Sequence, residues 1–188
     1  MKIKISELEK KLDKKIKRNV KIIGLDTAKI SGICFIRTDI KFLNLDWCKL
    51  EFNYNNQEEM LAVMYREFGQ LFGNEDLAIV EEIFVGFNRV GSLRLAKMGT
   101  LAIAQCLNKK INFKLISATS ARSKFFVLNS RIYKGRTKQA VLDYLRTIGI
   151  ETYDTDVADA IILALCGICE GIDFKPKTKK KKKRKRKK

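Results

Sequence analysis

From Val20 to Glu170 the apolar residues change period in a fixed succession, and few folds accept that succession. Three runs, at 20–26, 32–38 and about 45–52, are rich in Ile, Val and Phe and separated by short turns, so they read as strands. The period then becomes three and four. Met60, Leu61, Met64, Phe68 and Leu71 share one face of a helix over roughly 57–72, preceded by Asn55 and closed by Gly73-Asn74. A strand at 77–84 follows, then a helix at about 92–107 rich in Ala and Gly, a strand at 112–116 and a short helical or irregular stretch to Phe126. Two further helices are predicted at about 137–148 and 156–170. The second is almost wholly apolar beyond its first turn and must lie buried against a sheet. Three consecutive strands predict an antiparallel meander, and strands alternating with helices add parallel partners. The expectation is an α/β fold with a five-stranded mixed sheet flanked by helices.

Four acids stand at the ends of these segments. Asp26 closes the run Val20-Lys21-Ile22-Ile23-Gly24-Leu25-Asp26, ahead of the turn Thr27-Ala28-Lys29-Ile30. A buried strand that ends on an acid has little structural motive. Glu81 and Glu82 end another apolar run, and as neighbours on a strand they point to opposite faces, so only one can join Asp26. Asp156 and Asp159 are three residues apart on the opening turn of the last helix and share one face. Asp154 or Thr155 can cap that helix, and acids complement its positive end, which is the structural reason for such a pair. Carboxylates gathered at one end of a sheet suit two divalent cations about 3.5–4 Å apart, a phosphodiester-hydrolysing arrangement. Oxygen-only donors favour Mg²⁺ or Mn²⁺.

Charge supplies the substrate class. The chain of 188 residues carries a formal +18, but residues 175–188 hold 12 of its 39 Lys and Arg and none of its 21 acids. The rest of the chain is therefore only mildly basic. A run such as Lys179 to Lys188 repels itself and buries nothing, so a disordered polybasic tail is expected over 173–188. Such a tail attracts polyanions through counterion release, which points to nucleic acid. No apolar stretch reaches the roughly 18 residues of a bilayer span, and Met1 to Asn19 has no secretory character, so no membrane is expected and the protein should stay inside a cell.

Histidine is absent, which removes the commonest general base and leaves carboxylates, lysine or metal-activated water for any hydrolysis. Cys166 and Cys169 form the one C-x-x-C spacing, but without histidine or a second pair they cannot complete a tetrahedral zinc site. With Cys34, Cys48 and Cys106 they read as reduced packing residues. Ile5, Leu8, Leu12 and Ile16 recur at helical spacing, marking an amphipathic helix within residues 1–19, ahead of the main domain at 20–172.

The segments Ile23-Gly24-Leu25-Asp26, Val80-Glu81-Glu82-Ile83-Phe84, Gly135-Arg136-Thr137-Lys138 and Asp156-Val157-Ala158-Asp159-Ala160 resemble, in order, the RuvC family of Holliday junction resolvases. The order of elements is likewise that of the ribonuclease H-like fold. The resemblance implies that Asp26, Glu81, Asp156 and Asp159 are the catalytic, metal-binding acids, and it selects Glu81 over Glu82. It implies two Mg²⁺ ions per site, Phe84 as an aromatic reaching into the junction, and Lys138 as a lysine on the scissile phosphate; Lys124 matches an earlier basic position. It further implies a homodimer that binds a four-way DNA junction and makes paired nicks. Cellular bacterial members read D-P-G where this chain has Asp26-Thr27-Ala28. The first turn is therefore built differently, and the N-terminal helix and the basic tail, which lie outside the shared region, look more like a phage or viral member, acting in the host-cell interior, than like a nucleoid-associated cytoplasmic housekeeping enzyme. The alternatives are a ribonuclease H-type nuclease, a broader branched-DNA nuclease, and a junction-binding protein whose acids are structural.

Overall fold

The structure, a computed structural model, describes residues 1–54, 56–83, 89–125 and 137–172. Its centre is a six-stranded sheet in the order β1-β4-β3-β2-β5-β6. Strands β2 (Lys21–Asp26), β3 (Ile30–Thr38) and β4 (Phe42–Glu51) form the expected antiparallel meander. Strands β5 (Leu77–Glu81) and β6 (Asn112–Ile116) extend it on the other side of β2, each parallel to its neighbour. Parallel pairing requires crossovers, and helices α2 (Gln57–Leu71) and α3 (Arg89–Asn108) supply them.

The sixth strand is one more than the sequence pattern predicts. It is β1 (Lys2–Lys4), which pairs antiparallel with β4 at the sheet edge. Three residues alternating Lys-Ile-Lys are too short a run for periodicity to register. The amphipathic helix that follows, α1 (Ile5–Leu12), is also shorter than its apolar spacing suggests. Asp13 takes a left-handed conformation with φ 52° and closes it, and Ile16 instead forms a bridge with Cys169. Ile5, Leu8, Leu12 and Ile16 are all buried in the same core as the sheet, so this segment packs as part of the domain.

The two faces of the sheet bury different partners, and strand alternation sorts the residues between them. Ile22, Cys34, Ile36, Leu43, Leu45 and Ile79 face α1, α4 (Ala118–Arg122), α5 (Thr137–Thr147) and α6 (Thr155–Ile168). Ile23, Leu25, Ile33, Ala78 and Val80 face Met60, Met64 and Phe68 of α2 and Met98, Ala102 and Cys106 of α3. From Val157 to Ile168 every residue of α6 is buried, as its uniform apolarity requires.

Helix α6 could not lie so close on a sheet of ordinary side chains. A Cβ at Gly24 of β2 would overlap the backbone of Ala160 and Ala164, and one at Gly32 of β3 would overlap the Asp156 carbonyl. In return, a Cβ at Gly167 would press on Ile22 and Ile79. Glycine and alanine on both surfaces bring the helix backbone onto the strands. The five cysteines are free thiols, and burial pushes those of Cys166 and Cys169 up to about 12, as befits packing residues. Among the described residues, no helix is long and apolar enough to cross a membrane.

Candidate active site

The site lies where β2, β5 and the start of α6 meet. The parallel register of β2 on β5 pairs Leu25 with Val80, which sets Asp26 and Glu81 side by side at the C-terminal ends of the two strands. Alternation then decides which glutamate faces Asp26. Glu81 shares the face of Ile79, which packs against α6, whereas Glu82 falls on the side of Ala78 and Val80 and is exposed. Asp26 is likewise on the α6 side, two residues beyond Gly24. The contact of Gly32 with Asp156 delivers the first turn of α6 to the same place, since Gly32 is the cross-strand partner of Asp26.

The start of α6 is fixed by its cap. Asp154 Oδ1 accepts hydrogen bonds from the backbone N–H groups of Asp156 (2.9 Å) and Val157 (3.1 Å), and its other oxygen pairs with Lys49 of β4 at 3.0 Å. Partial burial raises the Asp154 pKa, but these hydrogen bonds, with that from Lys49, outweigh it and hold the carboxyl below its usual range. The turn after Asp26 is built by Ser31, whose hydroxyl accepts from Ala28 N–H at 3.1 Å and donates to Ala28 O at 2.7 Å. Thr27 is buried beside it, with its Oγ1 close to Gly99 of α3 and without a hydrogen-bond partner among the described residues. The turn chemistry that Pro-Gly would give is here supplied by a serine hydroxyl.

Electrostatically the four acids form one group. Burial first, then a hydrogen bond with Glu81 and its charge, then the charges of Asp159 and Asp156, push the Asp26 carboxyl up to about 9. Lys138, on the first turn of α5, is 58% exposed and bonds Asp156 Oδ1 at 2.8 Å. That bond raises its pKa, and the charges of Asp156, Asp159 and Asp26 add to the effect despite some desolvation.

Asp159 is the one acid fully buried among the described residues, at 5% exposure. It is gripped by a residue that sequence reasoning did not single out. Arg122, at the end of α4, donates from Nε to Asp159 Oδ1 at 3.0 Å and from Nη2 to Oδ2 at 2.6 Å. Asp26, Glu81, Asp156, Asp159 and Lys138 thus share one electrostatic neighbourhood. Lys124 is half-buried, and its charge is felt at Cys166, two turns along α6 from Asp159. Phe84 lies outside the described residues, as does the polybasic tail. Arg122 lies two residues before Lys124 in the basic stretch Ala121-Arg122-Ser123-Lys124, and only the placement of α4 against α6 tells their roles apart.

The donor set is chemically that of a hard divalent cation: four carboxylates, one of which burial and then its acidic neighbours keep from ionising. As they stand, no three acidic or thiol side chains among the described residues gather closely enough to hold an ion. Two of the four carboxylates are engaged by Arg122 and Lys138 instead.

No protein-family model and no curated protein matches the chain. Solved structures do. RuvC of T. thermophilus in complex with a Holliday junction substrate is similar at a TM-score of 0.63 and 12% identity, over 78% of this chain and 90% of that one. A second Thermus thermophilus RuvC structure gives 0.58 and 12%, covering 79% and 98%. The yeast mitochondrial Holliday junction resolvase Ydc2 gives 0.55 and 15%, covering 84% and 81%. The fold is therefore RuvC-like, of the ribonuclease H-like class.

Proposed function

We propose that this chain is a structure-selective DNA endonuclease that resolves four-way junctions by metal-dependent hydrolysis of phosphodiesters. The observation that carries the reading is the convergence of Asp26, Glu81, Asp156 and Asp159 in one electrostatic field, at one end of a sheet whose fold is RuvC-like. Two of the similar structures are a RuvC bound to a Holliday junction substrate and a resolvase of such junctions. The strongly basic composition suits a DNA substrate.

In this reading Asp26, Glu81, Asp156 and Asp159 hold Mg²⁺ or Mn²⁺. Ions held there would supply an activated water and offset charge on the leaving 3′ oxygen. The chain's own residues do the rest. Asp26 and Glu81 are fixed by neighbouring strands, and Asp156 and Asp159 by a capped helix, so all four are held before substrate arrives. Lys138, more than half exposed, would exchange Asp156 for the scissile phosphate and orient it. Phe84, three residues beyond Glu81, is assigned to stacking at the branch point, and Lys124 to the DNA backbone. A homodimer would present two sites to two strands, giving paired nicks.

The test is incubation of the purified protein with labelled four-way junction, linear duplex and RNA/DNA hybrid, in Mg²⁺ and in EDTA. Symmetric nicks confined to the junction and abolished by EDTA are expected. Cleavage of the hybrid instead would identify a ribonuclease H-type enzyme, and tight binding without any cut would reduce the acids to a structural role.

A further inference from the structure

We infer that Arg122 is a resident counter-cation for Asp159 that must be drawn away before the site can load metal, so that metal binding is coupled to the arrival of a DNA phosphate. This rests on the metal-nuclease reading above and adds a residue and a sequence of events to it. The geometry of the ion pair is the first ground. Both carboxylate oxygens of Asp159 are engaged, in a fork with distances of 2.6 and 3.0 Å, and the Arg122 side chain is only 13% exposed. A divalent ion on either oxygen would sit within a few ångströms of a fixed positive charge in a water-poor setting, where repulsion is least screened. Arg122 and metal therefore compete for one ligand.

The contrast with Lys138 is the second ground. Lys138 touches one oxygen of Asp156 through a single ammonium on a largely exposed stem. Such a contact yields readily to solvent or to another cation. The Arg122 pair does not, because leaving it strands a buried carboxylate and a largely buried arginine. Its release needs a replacement on each side at once. A phosphate offers the guanidinium the same two-pronged geometry as a carboxylate, and a divalent cation replaces the guanidinium on Asp159. Either one alone leaves a buried charge uncompensated.

The third ground is that only the side chain has to move. Helix α4 is held by its Ser117 cap and by Ala121, which is buried in the core shared with α6 and whose carbonyl lies 4.0 Å from Cys166 Sγ. With α4 fixed at Ala121, Arg122 is anchored at its Cα at the rim of the acidic site, within side-chain reach of anything bound there. Fastening α4 to α6 does not itself require the ion pair.

The experiment is Mn²⁺ binding, read as loss of the free-ion electron paramagnetic resonance signal, on the full chain with and without saturating four-way junction. Wild type, Arg122→Gln and Arg122→Lys are compared, with Asp26→Asn plus junction as the correction for Mn²⁺ held by DNA alone. Wild type should bind Mn²⁺ weakly without DNA and about tenfold or more tightly with it, and by reciprocity Mn²⁺ should tighten junction binding by the same factor. Arg122→Gln should bind tightly without DNA and gain little from it. A merely structural arginine would not raise metal affinity when removed. If wild type responds to DNA but Arg122→Gln binds no better than wild type in its absence, the inference is overturned and the metal reading stands. If wild type binds no Mn²⁺ beyond the Asp26→Asn correction under any condition, the metal reading itself fails. Should Arg122→Gln not fold, Arg122→Lys carries the test: a point charge replaces the fork, so DNA-free affinity should rise about threefold, and no rise overturns the inference.

Discussion

A carboxyl held near pKa 9 opposes folding over most of the pH range in which the protein would work. The folded form of Asp26 keeps its proton up to about 9, while the unfolded chain releases it near the ordinary value of 3.8. Between those values the folded state binds the extra proton, so its contribution is full at acid pH and is lost as pH rises through that window. In EDTA, Asp26→Asn should therefore melt with wild type at about pH 4 but several degrees above it at pH 8, where about 1 kcal/mol corresponds to 2–4 °C for a chain of this size. Parallel melting curves across that range would mean that Asp26 is not strained by its neighbours. The same substitution should lower junction nicking about 10³-fold while junction binding changes little, as expected when only metal-assisted stabilisation is lost. Persistent nicking would remove Asp26 from the metal site.

Helix α6 makes that cluster by lying directly on two strands. Gly24 and Gly32 are not turn glycines; they are the flat places on β2 and β3 that admit the backbone of Ala160, Ala164 and Asp156. A methyl at either meets backbone, which cannot step aside as a flexible side chain would. Gly24→Ala and Gly32→Ala should each cost about 1–3 kcal/mol in urea melts. Gly73→Ala, where only the Glu75 carboxylate approaches, should stay within about 0.5 kcal/mol. Gly32→Ala should in addition cut nicking more than Gly24→Ala does, because Gly32 sets the height of Asp156 beside Asp26. Equal losses of activity at equal stability would show that this contact does not position the acids.

For the molecule as a whole, charge is divided between a mildly basic body and a strongly basic C-terminal run. Each phosphate that the run neutralises releases counterions, so its contribution to binding scales with the logarithm of salt concentration. Removing residues 177–188 should make log Kd for DNA less dependent on log salt, with a slope smaller by several units, and should leave the preference for junction over duplex intact. A lost preference would place the run in structure recognition. Between 0.05 and 0.2 M salt the truncated and full chains should converge in affinity.

The sequence by itself determined the elements and their chemistry. The change of apolar period located the meander, the crossover helices and the buried last helix, because burial of a face leaves a period in the residues that form it. It also marked Asp26 and the Glu81-Glu82 pair, since a carboxylate that ends an apolar run stands out against local physics, and the Asp156/Asp159 pair by its spacing on one helix face; the choice of Glu81 over Glu82 came from the family resemblance. Strand β1 escaped because three alternating residues carry no period, and α1 stopped early because a left-handed Asp13 interrupts a pattern whose apolar spacing continues. What only the tertiary structure decided is which groups meet. Pleat parity put Glu81 on the α6 face and Glu82 on the other; the glycine contacts set α6 against β2 and β3; and the packing of α4 on α6 gave Asp159 to Arg122. These depend on register and approach distance between segments far apart in the chain, and no local pattern of residues encodes a distance.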